Sequence, residues 1–331
     1  MKRPIAILGA GNAATALAIL LARRDRPIHL YSIEDDVTRE INAKHRNSKY
    51  LKGIALPKQI RAFGNVAEAV HRADVVFVAV PSFALEEAVT LALPFIGRDT
   101  ILASITKGLD EKCLKPLGIA IRDILPARSA KRFCLIGGPA VAHEMAHHQP
   151  TALIVAAQDA SAATTVASLL RSDVVKVATS TDPLGVGYCM ALKNIYAIPL
   201  GMCDGLKYPM NTKAMAFALA IEEMERILVA AGADPRTVAG LAGVGDLLVT
   251  GFSPFGRNRT YGEALVGAKT KDPHALGLLT VEGIAATAVG KRLARRLRVK
   301  TPLLDAVAKS LSVPHHFERP FVAYLKQLKL Q

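Results

Sequence analysis

Tryptophan is absent from the 331 residues, and aromatic residues of every kind make up only 5%. That disfavours a protein that reads nucleic acid by stacking bases on exposed rings. Cysteine is scarce: Cys113, Cys134, Cys189 and Cys203 stand far apart, without the spacing of a zinc site or a redox pair. Reduced, mostly buried thiols in a cytoplasmic protein are the expectation. Long hydrophobic runs are missing, which speaks against membrane insertion. At the front, Lys2-Arg3 is followed by only five apolar or small residues before Gly9, too few for a secretory leader. Acid is the minority charge, 28 residues against 42 basic ones, for a net charge of +14. Such a balance suits an anionic ligand, but also nucleic acid or a membrane surface. The densest basic run is Lys291, Arg292, Arg295, Arg296, Arg298 and Lys300, interleaved with Val289, Leu293, Ala294 and Leu297. This is the pattern of an amphipathic helix with a solvated basic face, so no nucleic-acid partner is expected.

Apolar residues are plentiful, at 51% of the chain, enough for two domains with substantial cores. In the first half, short apolar segments suited to strands recur at 4–8, 27–31, 59–63, 74–80, 100–104, 132–136, 151–156 and 173–178. Helical patterns such as 11–24, 83–93, 115–125 and 160–171 lie between most of them. Strands alternating with helices predict an α/β domain, a Rossmann-like doubly wound, mostly parallel sheet over 1–183. From about Pro183 the strand signals stop. Segments 184–202, 210–232, 257–266, 281–298, 302–312 and 318–328 carry helical periodicity, with breaks expected at Pro199, Gly205, Pro209, Pro235, Pro273 and Pro302. An all-helical C-terminal domain over 184–331 follows.

The chemistry-bearing motifs begin with Ile5-Ala6-Ile7-Leu8-Gly9-Ala10-Gly11, which turns directly into an Ala/Leu-rich helix through Asn12 and Ala13. A strand, a glycine turn and a helix N-terminus form a site for a dinucleotide pyrophosphate. The glycines let backbone approach the phosphates, and the helix end offers free N–H groups. At the end of the second strand, Ile33-Glu34-Asp35-Asp36 is acidic and carries no cation. A carboxylate there accepts from a ribose hydroxyl, so NAD is favoured over NADP. The strand Val75–Val80 ends in Pro81-Ser82, beside the expected nicotinamide ribose. Thr106-Lys107-Gly108 and Gly137-Gly138-Pro139 also stand at strand ends, where a parallel sheet opens its ligand crevice.

In the second half, Lys193 and Asn194 interrupt an apolar helix. A buried ammonium is costly and gives up its proton more easily, which suits proton transfer. Gly240–Thr250 is glycine-rich with a single acid, Asp246, which reads either as a helix cap or as the partner of a buried lysine. Arg257-Asn258-Arg259, at a helix start, is suited to phosphate.

The order of these motifs resembles the NAD(P)-dependent glycerol-3-phosphate dehydrogenases. The matching pieces include Gly9-Ala10-Gly11, Asn47-x-x-Tyr50-Leu51, Thr106-Lys107-Gly108-Leu109, Gly138-Pro139 and Ala191-Leu192-Lys193-Asn194. They continue with Gly205-Leu206, Asn211, Gly243-x-Gly245-Asp246-Leu247, Arg257-Asn258-Arg259 and Glu282-Gly283. The resemblance implies reversible hydride transfer between NAD(P)H and dihydroxyacetone phosphate, a link from glycolysis to glycerophospholipid synthesis, in a homodimer. It makes Lys193 the proton donor. Lys107 would contact substrate and cofactor. Asp246 and Asn194, with Thr250 close by, would orient Lys193 and the substrate hydroxyls. Arg257 and Asn258 would hold phosphate, and Glu282 would close over the cofactor. Gly138 and Ala142 would supply backbone contacts.

Four places depart from the family pattern. Asn12-Ala13-Ala14 replaces a Ser-aromatic-Gly, Ile33 stands where a basic residue is common, Ala140 lacks a hydroxyl, and Gly256 replaces a serine. A divergent paralogue that reduces another small oxo substrate and a low-turnover NAD-binding regulator are the alternatives these departures leave open.

Overall fold

The computed structural model describes residues 2–23, 26–278 and 281–329. The expected helix over 11–24 runs into Arg24, and the expected second domain includes Leu279, Thr280, Leu330 and Gln331; these lie outside the described residues. The chain divides into two compact units, Met1–Lys107 with Leu117–Pro183, and Gly108–Pro116 with Leu184–Gln331.

Eight strands build the sheet of the first unit: β1 (Ile5–Leu8), β2 (Ile28–Tyr31), β3 (Ile60–Phe63), β4 (Val75–Val78), β5 (Ile101–Ser104), β6 (Cys134–Gly137), β7 (Thr151–Ala156) and β8 (Val175–Ser180). Their spatial order is β3-β2-β1-β4-β5-β6-β7-β8. Strand order reverses at β1, which pairs in parallel with β2 on one side and β4 on the other, Ile5 opposite Ile28 and Val75. Such a reversal opens a crevice at the carboxyl ends of the two central strands. All neighbours are parallel except β6 and β7, which run antiparallel. The link between those two carries only one five-residue helix, too little for the crossover that a parallel pair needs.

The helices of this unit are α1 (Asn12–Ala22), α2 (Asp35–Lys44), α3 (Val66–Val70), α4 (Leu85–Ala92), α5 (Leu117–Ile124), α6 (Ala127–Arg132), α7 (Ala142–Ala146) and α8 (Ala160–Leu170). The residues of β1, β4, β5 and β6 are buried throughout, as strands covered on both faces must be. Helix α1 is buried from Ala14 to Ala22 and fills the centre of the core.

The second unit is helical: α9 (Pro183–Gly205), α10 (Met210–Ala230), α11 (Arg236–Ala239), α12 (Asp246–Phe252), α13 (Arg257–Leu265), α14 (Glu282–Leu297), α15 (Pro302–Ser312) and α16 (Arg319–Gln327). A π-helical segment, Leu241–Gly245, leads into α12. The break expected at Pro199 does not occur, because α9 passes through it. Proline removes one N–H and one helical hydrogen bond, but Ile195, Tyr196, Ala197, Ile198 and Leu200 are fully buried, and their packing outweighs that loss.

Candidate active site

Helix α9 is apolar on nearly every side, so a charge on it needs partners inside the protein. Lys193 is 4% exposed and Asp246, the first residue of α12, 1%. Lys193 Nζ donates to Asp246 Oδ1 and to Thr250 Oγ1, the latter at 2.8 Å. Thr250 lies one helical turn beyond Asp246, so both face the lysine, and its hydroxyl donates to the Asp246 carbonyl at 2.6 Å. Asp246 is therefore the lysine's partner; the capping position of α12 falls to Gly245. Taking both charges out of water costs several kcal/mol per ion unless such bonds replace the lost solvent.

Asn194 Nδ2 donates to Glu282 Oε2 at 3.1 Å. A Cβ on Gly283 would fall 2.4 Å from the Asn194 carbonyl oxygen, so glycine lets the start of α14 sit against α9. Asn258 is buried, and its Oδ1 accepts from the Gly283 N–H at 2.8 Å. That orientation leaves the amide nitrogen of Asn258 as its donor end. Arg257 opens α13 and is exposed. Among the described residues no carboxylate pairs with it, and no side chain caps its helix. One turn beyond Lys193, the Tyr196 hydroxyl donates to Glu223 at 2.9 Å, and Glu223 also accepts the Leu303 and Leu304 N–H groups at the start of α15. Burial pushes the Glu223 carboxyl above its usual range, against these hydrogen bonds.

In the first unit, Gly9 has a φ of 109°, and a Cβ on it would meet the Ala79 carbonyl oxygen at 2.6 Å; only glycine lets β1 and the end of β4 come this close. Gly11 is extended and precedes α1 without a side-chain cap, and a Cβ there would meet nothing within 4 Å. Asn12 and Ala13 are exposed beside it. This is open space before a helix N-terminus, the arrangement a pyrophosphate needs. Gly138 has a φ of 112° just past β6, and Ala142 opens α7. Lys107 is half-buried past β5, after Thr106, whose hydroxyl donates to the Val80 carbonyl at 2.9 Å.

Two features of this unit have no local signal in sequence. Asn47 is fully buried, and its Nδ2 donates to the Ala10 carbonyl at 2.8 Å and to Thr15 Oγ1 at 2.9 Å, clipping the glycine turn to α1. Lys49 Nζ reaches Glu34 at 2.5 Å and Asp36 at 3.8 Å. The acidic end of β2, read as free of cations, thus has one delivered from a loop thirteen or more positions later in sequence. Ile33, in the middle of this region, is 86% exposed.

Residues 4–163 match the model of the N-terminal domain of NAD-dependent glycerol-3-phosphate dehydrogenase, and residues 182–318 match that of its C-terminal domain. The chain belongs to this family. A glycerol-3-phosphate dehydrogenase (NAD(P)+) of Chlorobium phaeobacteroides (strain BS1) is 35% identical over 308 residues, covering 93% of this chain and 92% of the relative. Its counterpart in Streptomyces griseus is 34% identical, with 98% and 96% covered. The crystal structure of glycerol-3-phosphate dehydrogenase from Coxiella burnetii superposes with a TM-score of 0.90 at 31% identity, covering 98% of this chain and 99% of that one. The Rossmann-like sheet and the helical unit are thus those of a glycerol-3-phosphate dehydrogenase.

One departure from the family pattern now has a cause in this chain. A Cβ on Gly256 would lie 2.2 Å from the Thr250 carbonyl oxygen, so the turn between α12 and α13 closes too tightly for serine.

No group of three His, Cys, Asp or Glu side chains able to hold a metal ion occurs among the described residues, and no helix among them is long and apolar enough to cross a membrane. None of the four cysteines is in a disulfide, and burial pushes the Cys134 and Cys203 thiols up to about 12.

Proposed function

We propose that this protein is an NAD(P)-dependent glycerol-3-phosphate dehydrogenase that interconverts dihydroxyacetone phosphate and sn-glycerol 3-phosphate. The observation that carries this reading is the buried Lys193 held by Asp246 and Thr250 on a family-matched helix. Bound NAD(P)H supplies the hydride. In the reductive direction, Lys193 Nζ gives its proton to the oxygen of the reacting carbonyl, and Asp246 and Thr250 aim the ammonium. Holding the ammonium between the Asp246 carboxylate and the Thr250 hydroxyl is positioning of the kind general acid catalysis requires. Asn194, fixed by Glu282, orients the substrate hydroxyls. Arg257 and the Asn258 amide hold the phosphate, a guanidinium fork being suited to two phosphate oxygens at once. Lys107 and Gly138 contribute further substrate contacts. Gly9, Gly11, Asn12 and Ala13 take the pyrophosphate, Ile33 faces the adenosine ribose, and Ala142, Lys107, Arg257 and Glu282 complete the cofactor site.

The division of labour is a dinucleotide-binding domain over 1–183 and a substrate domain over 184–331. The product serves glycerophospholipid synthesis, and the enzyme works in the cytoplasm as a homodimer, with NAD preferred. The test is NADH oxidation with dihydroxyacetone phosphate beside a panel of small 2-oxo acids. Turnover of the phosphate ester above every oxo acid is expected; a preferred oxo acid would favour the paralogue, and no turnover with tight NADH binding would favour the regulator.

A further inference from the structure

A second charged cluster spans the same helices and has no task in the reaction as set out above. Asp204, in the last turn of α9, accepts two hydrogen bonds from Lys213 Nζ, both 2.7 Å, and one from Arg259 Nε at 2.6 Å. Lys213 stands in the first turn of α10 and is buried. Arg259 is in the first turn of α13, two residues after Arg257, and its Nη1 pairs with Glu263 at 3.0 Å. Lys213 Nζ also lies 4.4 Å over the ring of Phe252, the last residue of α12. One carboxylate therefore gathers α10 and α13, and through Lys213 it touches the end of the helix that carries Asp246 and Thr250.

The backbones beneath this cluster are in contact. A Cβ on Gly201 would fall 1.8 Å from the Arg259 carbonyl oxygen, and one on Gly262 would fall 1.9 Å from that of Ile198. With α9 and α13 seated this closely, the Asp204–Arg259 bond fixes their rotation and slide. The Arg259 and Asp204 side chains are 16% and 22% exposed, so desolvation offsets part of their attraction and leaves the direction of the bond as its main contribution here.

We propose that Asp204 and Arg259 are positioning residues, which set the first turn of α13, and so Arg257 and Asn258, relative to Lys193 on α9. The inference rests on the glycerol-3-phosphate dehydrogenase reading, in which those two residues hold the substrate's phosphate. Helix α9 places Lys193 and Asp204 about three turns apart on one rigid rod, so the acid end and the phosphate end of the site share a frame. A misplacement of about 1 Å at such a remove costs a large factor in rate.

Arg259→Gln is the variant of choice, because it leaves the Asp204–Lys213 pair balanced. It is expected to raise both the KM for dihydroxyacetone phosphate and the Kd for sn-glycerol 3-phosphate about tenfold, with kcat/KM for unphosphorylated dihydroxyacetone changed by less than about twofold. The Kd for NADH is expected to rise by a smaller factor, because Arg257 is only one of several groups in the cofactor site. Asp204→Ala with Lys213→Met removes one charge of each sign and is expected to raise KM alike, while Asp204→Asn with Lys213→Met keeps an acceptor for Arg259 and restores it. Equal losses on the phosphorylated and unphosphorylated substrates, with KM unmoved, would mean a role in stability alone and overturn the proposal. Arg257→Lys measured alongside separates the two ideas. If it raises KM for the phosphate ester and Arg259→Gln does not, positioning fails and the phosphate reading stands; if neither does, both fail.

Discussion

Lys193 keeps its ammonium in a place that water does not reach, because Asp246 and the Thr250 hydroxyl replace the hydration shell. Removing the lysine therefore has two separable effects. Lys193→Ala is expected to lower kcat by roughly 10²–10⁴, the usual share of a general acid, with the Kd for NADH unchanged. It also takes the ammonium away from the buried Asp246 carboxylate, at a stability cost of about 3–5 kcal/mol. Lys193→Ala with Asp246→Asn should recover the thermal midpoint but not the turnover; recovery of both would remove Lys193 from proton transfer. At the ribose end, Ile33 offers no cation, and Glu34 and Asp36 share Lys49. NADH is expected to be the better cofactor by kcat/KM. Lys49→Glu should widen the gap and Ile33→Arg narrow it, measured with both cofactors at matched ionic strength. The lysine, the acid and the Arg-Asn pair were legible in sequence because each is a polar exception within an apolar or glycine-rich context. Lys49 was not, and Asn47, though part of a matching motif, gave no sign of its contacts, since a loop residue's partner depends on where the loop folds.

All eight strands were legible as short, apolar, often β-branched segments, and their mostly parallel pairing followed from the helices between most of them. Two features of the elements depend on packing and escaped that reading: the passage of α9 through Pro199, and the antiparallel turn from β6 to β7. The seating of α9 against α13 belongs with them, because Gly201 and Gly262 have no local pattern that marks them as contact points. Gly201→Ala is expected to force these helices apart. Overpacking typically costs about 1–3 kcal/mol, and backbone with no room to yield sits at the upper end. A lowered thermal midpoint together with a raised KM for dihydroxyacetone phosphate is the expected result, against a control such as Gly232→Ala, where a Cβ meets nothing but the φ of 78° already favours glycine. A drop in midpoint no larger than the control's would show that the two helices can separate at little cost.

At the scale of the whole molecule, the response to acid is expected to involve a histidine of the sheet. His29 on β2 is held neutral: burial lowers its affinity for a proton, and the nearby Arg61 adds to this, against a bond from its Nδ1 to the Ala69 carbonyl. Its folded pKa lies below the usual 6.5, so between those two values the unfolded chain takes up a proton that the folded one refuses. Stability therefore falls as pH drops through that window and is regained above it. His29→Gln should flatten the difference between urea midpoints at about pH 7.5 and about pH 5.5; an unchanged difference would assign the response to other groups.

The segment Gly108–Pro116 clusters with the second unit although the chain on both sides of it belongs to the first. Leu109 and Leu114 are buried there, and the Cys113 carbonyl accepts from Arg296 at 2.8 Å. During synthesis this strip leaves the ribosome long before α14 exists to receive it, since domains form in the order their chain emerges. The first unit thus matures around a stretch that stays unpacked until Arg296 has been made. Cutting the gene at position 183 would yield an N-terminal fragment with two leucines exposed and a C-terminal fragment lacking one of its own parts, so the halves should be recoverable only when expressed together.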